Sequence, residues 1–357
     1  MPGADGLSDP ALAGRLAREI GRVCEAAGRP VRIMEVCGTH TVALRSTGVR
    51  SLLPDGLALL SGPGCPVCVT PAGYIDNALR LVEVHGARVA TFGDLARVPG
   101  TDGRTLARHL ASGRVRVVYS PSELRAAASA DPSPLVFLGI GFETTVPAVA
   151  SAFLAPGLPP NLLLYPAFKR VVPALSALLA GGGHGIDAFL LPGHVSTIIG
   201  SAAYGLLEGV VPGVIAGFEP VELLHAILLA LRQVAAGESR VENAYTRAVK
   251  PEGNPKALAM IDRMLQPGDE PWRAFGVIPG GGLVLRQEHR GLDAAAAFGL
   301  PPVADRDPPG CRCADVLRGR AAPRDCGLFG NACTPDLPVG PCMVSSEGAC
   351  AAHLRYG

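Results

Sequence analysis

Short apolar runs, each closed by a loop carrying glycine, proline or cysteine, constrain this chain more than any other feature. "VRIMEV" (31–36) ends at "CGTH", "LALLS" (57–61) at "GPGCPVC", "ARVATF" (87–92) at "GDLARVPG" and "RVRVVYS" (114–120) at "PSE". The pattern resumes with "PLVFLGI" (134–140) before "GFETT", then "NLLLYP" (161–166), "AFLLPG" (188–193) and "GVIAGF" (213–218). Helical periodicity fills several intervals, as in "VELLHAILLALRQV" (221–234), and residues 9–27 read as a helix with Leu12, Ile20 and Val23 on one side. Short apolar strands alternating with helices predict an α/β fold with parallel sheets. The runs divide into two similar four-strand units, residues 31–120 and 121–239. A third, mainly helical and irregular segment covers 240–357, and the N-terminal helix within 1–30 could pack on it. Within that segment we expect a helix around 254–265 and a Gly-rich turn at "PGGG" (279–282).

A chain of 357 residues with 48% hydrophobic and 18% charged residues can bury a sizeable core and has no reason to be disordered over long stretches. Its formal net charge of +1 gives no electrostatic case for nucleic acid or an anionic membrane as partner. The start, "MPGADGLSDPALAGRLAREIG", lacks a basic region followed by an apolar run, so no secretory signal is expected. The most apolar region, 188–218, is broken by Pro192, His194, Glu208 and Pro212, which argues against a membrane span. The expected compartment is the cytoplasm. There, ten cysteines are poor disulfide candidates and better metal or redox candidates.

Six of the ten fall in the last 47 residues: Cys311, Cys313, Cys326, Cys333, Cys342 and Cys350. So Pro- and Gly-rich a segment has little apolar surface with which to fold alone, and a metal staple is expected. Four thiolates suit zinc or an iron–sulfur cluster, and the intervals lack the paired C-x-x-C knuckles of a zinc ribbon. Cys65 and Cys68 form a C-x-x-C that reads as a zinc half-site, as inert turn cysteines or as a redox dithiol. A helix starting just past the loop would lower the thiol pKa and favour the redox reading. Cys37 and His40 form a C-x-x-H at the first strand end, suited to a soft metal, to nucleophile activation or simply to a capping loop. Cys24, alone in the first helix, reads as a small buried hydrophobe.

Glu143 in "GFETT", His194 in "PGHVS" and Glu219 in "GFEP" also follow apolar runs, where ligands gather in open parallel sheets. Each alone is more often a cap or a solvated polar residue than a catalyst. No G-x-x-x-x-G-K-[ST] is present, which excludes a standard P-loop nucleotide site.

Taken in order, "MEVCGTHT" (34–41), "GPGCPVCVTP" (62–71), "GFETT" (141–145), "PGHVS" (192–196), "GFEP" (217–220) and a tail of "CRCADVLRG", "DCGLFGNACTP" and "GPCMVSSEGACAA" resemble the motifs of the HypD family of [NiFe]-hydrogenase maturation factors. The resemblance covers nearly the whole chain. It implies two α/β domains and a third that carries a [4Fe–4S] cluster. It also implies a scaffold on which, with a HypC-type chaperone, the Fe(CN)₂CO group is built for the hydrogenase large subunit, which is reached through HypC, with HypE supplying cyanide. Carried over by position, Cys37 becomes a thiolate ligand of the iron(II) under assembly, with His40 beside it, and Cys65 and Cys68 become a redox dithiol. Cys326, Cys333 and Cys350 become cluster ligands, with Cys311 as the fourth and Cys313 as its alternate. Glu143 and His194 match family motifs and are carried as candidate catalytic groups, while Cys342 and Cys24 have no assigned role. The rival from the residues alone is a cytoplasmic iron–sulfur thiol-disulfide oxidoreductase acting on protein substrates.

Overall fold

The computed structural model describes residues 7–181, 185–304 and 306–357. The first helix, α1 (Pro10–Ala26), begins where Asp9 accepts a hydrogen bond from the Ala11 N–H at 2.8 Å and Pro10 fixes the first turn. The strands follow the apolar runs closely: β1 (Val31–Glu35), β2 (Leu57–Ser61), β3 (Arg88–Thr91), β4 (Val115–Val117), β5 (Leu135–Gly141), β6 (Leu162–Lys169), β7 (Ala188–Pro192) and β8 (Gly213–Ala216). All seven residues of β5 are buried, as expected of a strand covered on both faces. Three further strands, β9 (Val241–Asn243), β10 (Leu265–Trp272) and β11 (Gly276–Leu285), have no counterpart among the runs.

The strands do not group by sequence. One sheet is parallel throughout, in the order β2-β1-β7-β8-β9; the other has the order β10-β11-β6-β5-β3-β4. The expected pair of similar four-strand units is therefore corrected: β1, with β2 on its outer side, leaves the first unit to pair with β7, and β3 and β4 join β5 and β6. The physical reason lies in the crossovers. After β2 the chain enters α3 (Ala72–Glu83), whose apolar face packs on β3 and β5, and after β6 the helix Val171–Ala180 leads the chain back to β7 beside β1.

The second sheet is mixed rather than purely parallel, because β11 runs antiparallel to β6 and β10 antiparallel to β11. The segment expected to be helical and irregular thus supplies a hairpin, and "PGGG" lies inside β11 rather than in a turn. Nor does α1 rest on the cysteine-rich segment. Its buried Ala13, Ile20 and Cys24 share a core with Val221, Leu224 and Leu228 of the helix Pro220–Ala236, which covers the first sheet. Cys24 is a buried hydrophobe there, as read from sequence. No helix among the described residues is long and apolar enough to cross a membrane.

Candidate functional site

Because strands are exchanged, the C-terminal ends of the two sheets face one another. A cavity of about 160 Å³ lies where they meet. Val36, Cys37 and Thr39 line it from the end of β1, Gly64 and Pro66 from the end of β2, Phe142, Thr144 and Thr145 from the end of β5, and His194 from the end of β7. The tail contributes Glu347.

Cys37 is the N-cap of α2 (Gly38–Ser46) and is buried. Burial pushes its thiol up to about 12, while the backbone N–H groups of His40 and Thr39 at the helix start pull the other way and the nearby Glu347 carboxylate adds to the rise. Such a thiol ionises when a cation takes the place of its proton. The Thr39 hydroxyl donates to Glu347 Oε1 at 2.6 Å, tying the start of α2 to the tail. Gly38 makes this possible, since a Cβ there would stand 2.7 Å from the Glu347 Cβ.

The C-x-x-C loop is laid directly on Cys37. The Gly38 N–H donates to the Gly64 carbonyl at 3.0 Å, and a Cβ on Gly64 would come within 2.2 Å of the Cys37 nitrogen. Cys65 and Cys68 are both buried, free thiols, and the Cys68 N–H donates to Cys65 Sγ at 3.3 Å. The expectation of a lowered pKa fails for Cys68: burial, then the neighbouring Cys65, raise it well above the ordinary thiol range. The helix that was to lower it, α3, begins at Ala72, and complete burial outweighs it.

His40 does not line the cavity. Its ring is fully buried, Nε2 lies 3.2 Å from the Ala216 carbonyl, and burial holds its pKa down at about 4. The ring of Phe218 sits between the two histidines, 4.9 Å from His40 and stacked 3.9 Å from His194, so it fixes the face that His194 presents to the cavity. Burial also lowers the His194 pKa. Glu143 is buried behind the cavity wall. Its Oε1 accepts the Val171 N–H at 3.0 Å, its Oε2 has no partner, and burial raises the carboxyl to about 7. Glu219 caps the helix Pro220–Ala236, with its N–H donating to the Glu222 carboxylate at 3.3 Å, and takes no part in the cavity.

All six cysteines of the tail line one enclosed space. Cys313 and Cys342 are joined in a disulfide, with Cα atoms 6.4 Å apart. This corrects, for one pair, the expectation that the cysteines are poor disulfide candidates, and it makes Cys313, the alternate ligand, a partner of Cys342. The physical reason is proximity: the helix starts at Cys313 and Pro341 pack side by side in one core. Cys311, Cys326, Cys333 and Cys350 remain free. Burial raises the Cys311 thiol, with Cys326 and Cys333 adding to it, and Cys350 is pushed up to about 12 by burial and by Cys311, Cys333 and Cys326. Among the described residues no three acidic, imidazole or thiol groups converge as ligands of a single ion. The fit to a metal group therefore rests on the donor set, four free thiols lining one space, which is the ligation a [4Fe–4S] cluster requires.

Space links this tail to the dithiol. The Cys68 thiol reaches the Pro341 carbonyl at 3.9 Å, next to Cys342, and a Cβ on Gly340 would lie 2.7 Å from Cys311 Sγ. Glu347 and the Cys313–Cys342 pair escaped the sequence reading. The Glu347 contact joins segments 308 residues apart and the disulfide closes a span of 29 residues, and no local periodicity marks either.

A family model described as "HypD: Hydrogenase formation hypA family" matches residues 11–357. The hydrogenase maturation factor HypD of Escherichia coli is 42% identical over 336 residues, spanning 92% of this chain and 90% of its own length. That of Rhizobium leguminosarum is 42% identical over 360 residues, 96% of this chain and 94% of its own. The hydrogenase expression/formation protein HupD of Azotobacter chroococcum is 42% identical over 376 aligned positions, covering 100% of this chain and 97% of its own.

Proposed function

Since the chain belongs to the HypD family of hydrogenase maturation factors, we propose that it is the scaffold on which, with a HypC-type chaperone, an Fe(CN)₂CO group is assembled for the hydrogenase large subunit, with HypE as cyanide donor. The observation that carries this reading is the convergence of Cys37, the C-x-x-C loop and the cysteine tail at the facing ends of two sheets. Iron(II) carrying cyanide and carbon monoxide is the cargo, and a soft anionic sulfur is a ligand that tolerates such partners. In the proposed mechanism Cys37 binds that iron at the cavity wall, and His194 and Glu347 orient what enters beside it. The remaining coordination is left to the chaperone and the incoming ligands.

Cys65 and Cys68 cycle between dithiol and disulfide behind the Cys37 backbone. In the tail, Cys311, Cys326, Cys333 and Cys350 would hold the [4Fe–4S] cluster, with Cys313 and Cys342 tied to each other. When bound, that cluster supplies electrons one at a time. Burial of both dithiol sulfurs favours chemistry within this assembly over reduction of outside proteins, since a protein disulfide has no path to Cys68, which is 0% exposed. We place the protein in the cytoplasm, where a disulfide such as Cys313–Cys342 belongs with redox chemistry rather than with structural stapling.

An infrared spectrum of anaerobically purified protein, co-expressed with its maturation partners, tests the proposal. Cyanide and carbon monoxide stretching bands are expected in the wild type and are expected to vanish in Cys37→Ala, whose circular dichroism stays unchanged. Bands that persist in Cys37→Ala would remove Cys37 from the iron. Cluster iron and sulfide without diatomic bands under any expression condition would turn the reading to an oxidoreductase.

A further inference from the structure

The tip of the β10–β11 hairpin points at the dithiol loop, and one of its residues is a fully buried arginine. Arg273 is 1% exposed. Its backbone N–H donates to the Val69 carbonyl at 2.7 Å, its Nε and Nη2 both reach the Thr70 carbonyl at 3.3 Å, and its Nη1 donates to Asp307 Oδ1 at 2.7 Å. Val69 and Thr70 directly follow Cys68, and Asp307 leads into Cys311. One guanidinium therefore spans the end of the dithiol loop and the start of the cysteine tail.

Removing a guanidinium from water is costly, and a well-packed apolar residue often does as much for stability. What an apolar residue cannot do is hold two backbone segments in a fixed register through a planar fork of donors. The next residue, Ala274, has φ of 77°, a left-handed conformation that a residue with a Cβ adopts only when its surroundings impose it. Those surroundings are the buried Trp272, whose Nε1 donates to the Gly281 carbonyl at 3.0 Å, and Phe275, which carries the Arg318 guanidinium 5.7 Å from its ring centre. The tip is thus held from both sides with Arg273 aimed at the loop.

The geometry points to Arg273 as a positioning residue for the Cys65–Cys68 dithiol, holding its loop in place against the cysteine tail. This rests on the reading of that pair as redox-active and adds the residue that sets its geometry. The reaction it affects is thiol–disulfide exchange. Two Cys65 and Cys68 thiols are oxidised to one disulfide while one oxidised glutathione is reduced to two glutathione thiols, and the two protons pass from the protein sulfurs to the glutathione sulfurs.

The test equilibrates the full chain with glutathione buffers, quenches by alkylation and reads the Cys65/Cys68 peptide by mass spectrometry, beside a melting curve of each sample. Arg273→Met is expected to lower the equilibrium constant for Cys65–Cys68 disulfide formation about tenfold, because a loop released from its restraint lowers the effective concentration of one thiol at the other. Arg273→Lys, which keeps the charge but cannot span Thr70 and Asp307 together, should recover only part of that loss. Asp307→Asn, at a part-exposed position that leaves the arginine in place, should give a smaller loss in the same direction with little change in melting temperature. If the melting temperatures fall while the constants equal the wild-type value, Arg273 is a structural residue and the inference is overturned alone. A wild-type pair that never forms a disulfide in any buffer overturns the dithiol reading together with this one.

Discussion

At Cys37 two effects oppose each other. Burial disfavours the thiolate, and the N–H groups at the start of α2 favour it. Burial wins, so the thiol stays protonated near neutral pH, and if Cys37 is the iron ligand we propose, iron uptake should release a proton. Glu143 shows the same dominance of burial and gives a pH prediction with a definite sign. Its carboxyl titrates near 7 in the folded protein, against 4.5 for the free group, so the folded state holds the extra proton. The stability associated with that proton is complete below about pH 4.5 and is lost as pH rises through 7. Glu143→Gln, which mimics the protonated form, should abolish this loss. Between pH 4.5 and 7.5 the wild type should weaken relative to the variant by up to about 3 kcal/mol in denaturant titrations, and parallel curves would show that Glu143 does not titrate there. At this scale the sequence was most legible where residue chemistry is rare. Thiols at strand ends announce themselves, and the loop that carries Cys65 and Cys68 lies against the backbone of Cys37, while only Cys37 of the three lines the cavity. Glu347 does not announce itself, since a carboxylate in a loop is ordinary until Thr39, 308 residues away in sequence, donates to it.

Among the elements, the loop after β2 is the one on which the site depends. Gly64 has no room for a side chain because the obstacle is the backbone of Cys37, which cannot rotate away. Gly64→Ala should therefore cost at least about 1–3 kcal/mol in chemical denaturation. It should also push the dithiol loop off Cys37, which faster alkylation of Cys65 and Cys68 in the native protein would report. An unchanged alkylation rate would mean that the loop finds another seat. The strands that were legible are those with unbroken apolar runs, such as β2 and β5. The hairpin was not legible, because Pro267, Gly268 and Pro271 in β10 and Pro279 with four glycines in β11 are residues that strand patterns penalise. Proline is tolerated there because β10 is an edge strand and β11 pairs with β6 only at Gly282 and Leu283.

For the whole molecule, the class of fold followed from the alternation of runs, while the grouping of strands did not. Sequence neighbours usually pair in space, and that prior produced two sequential units. Nothing in β1 states that its second partner is β7, because buried parallel strands carry the same apolar composition on either choice. The exchange predicts that a fragment ending at residue 120, the first of the sequential units, does not fold. It would contain β1 and β2 without β7, and β3 and β4 without β5. Far-ultraviolet circular dichroism of that fragment should lack a cooperative melt, and a cooperative transition would mean that the four strands can form a sheet of their own.

The same exchange has a consequence during synthesis. When β2 leaves the ribosome, the strand that will cover the open side of β1 is still about 130 residues from being made. At typical elongation rates that is a wait of roughly 6–25 seconds with an apolar edge uncovered. The second sheet can close its parallel core in the interval, since β3 to β6 emerge together, but its antiparallel hairpin arrives last of all the strands. A nascent chain of this design is obliged to linger half-made, and its yield in the cell should depend on holdase chaperones that shield β1 and β2 until β7 appears.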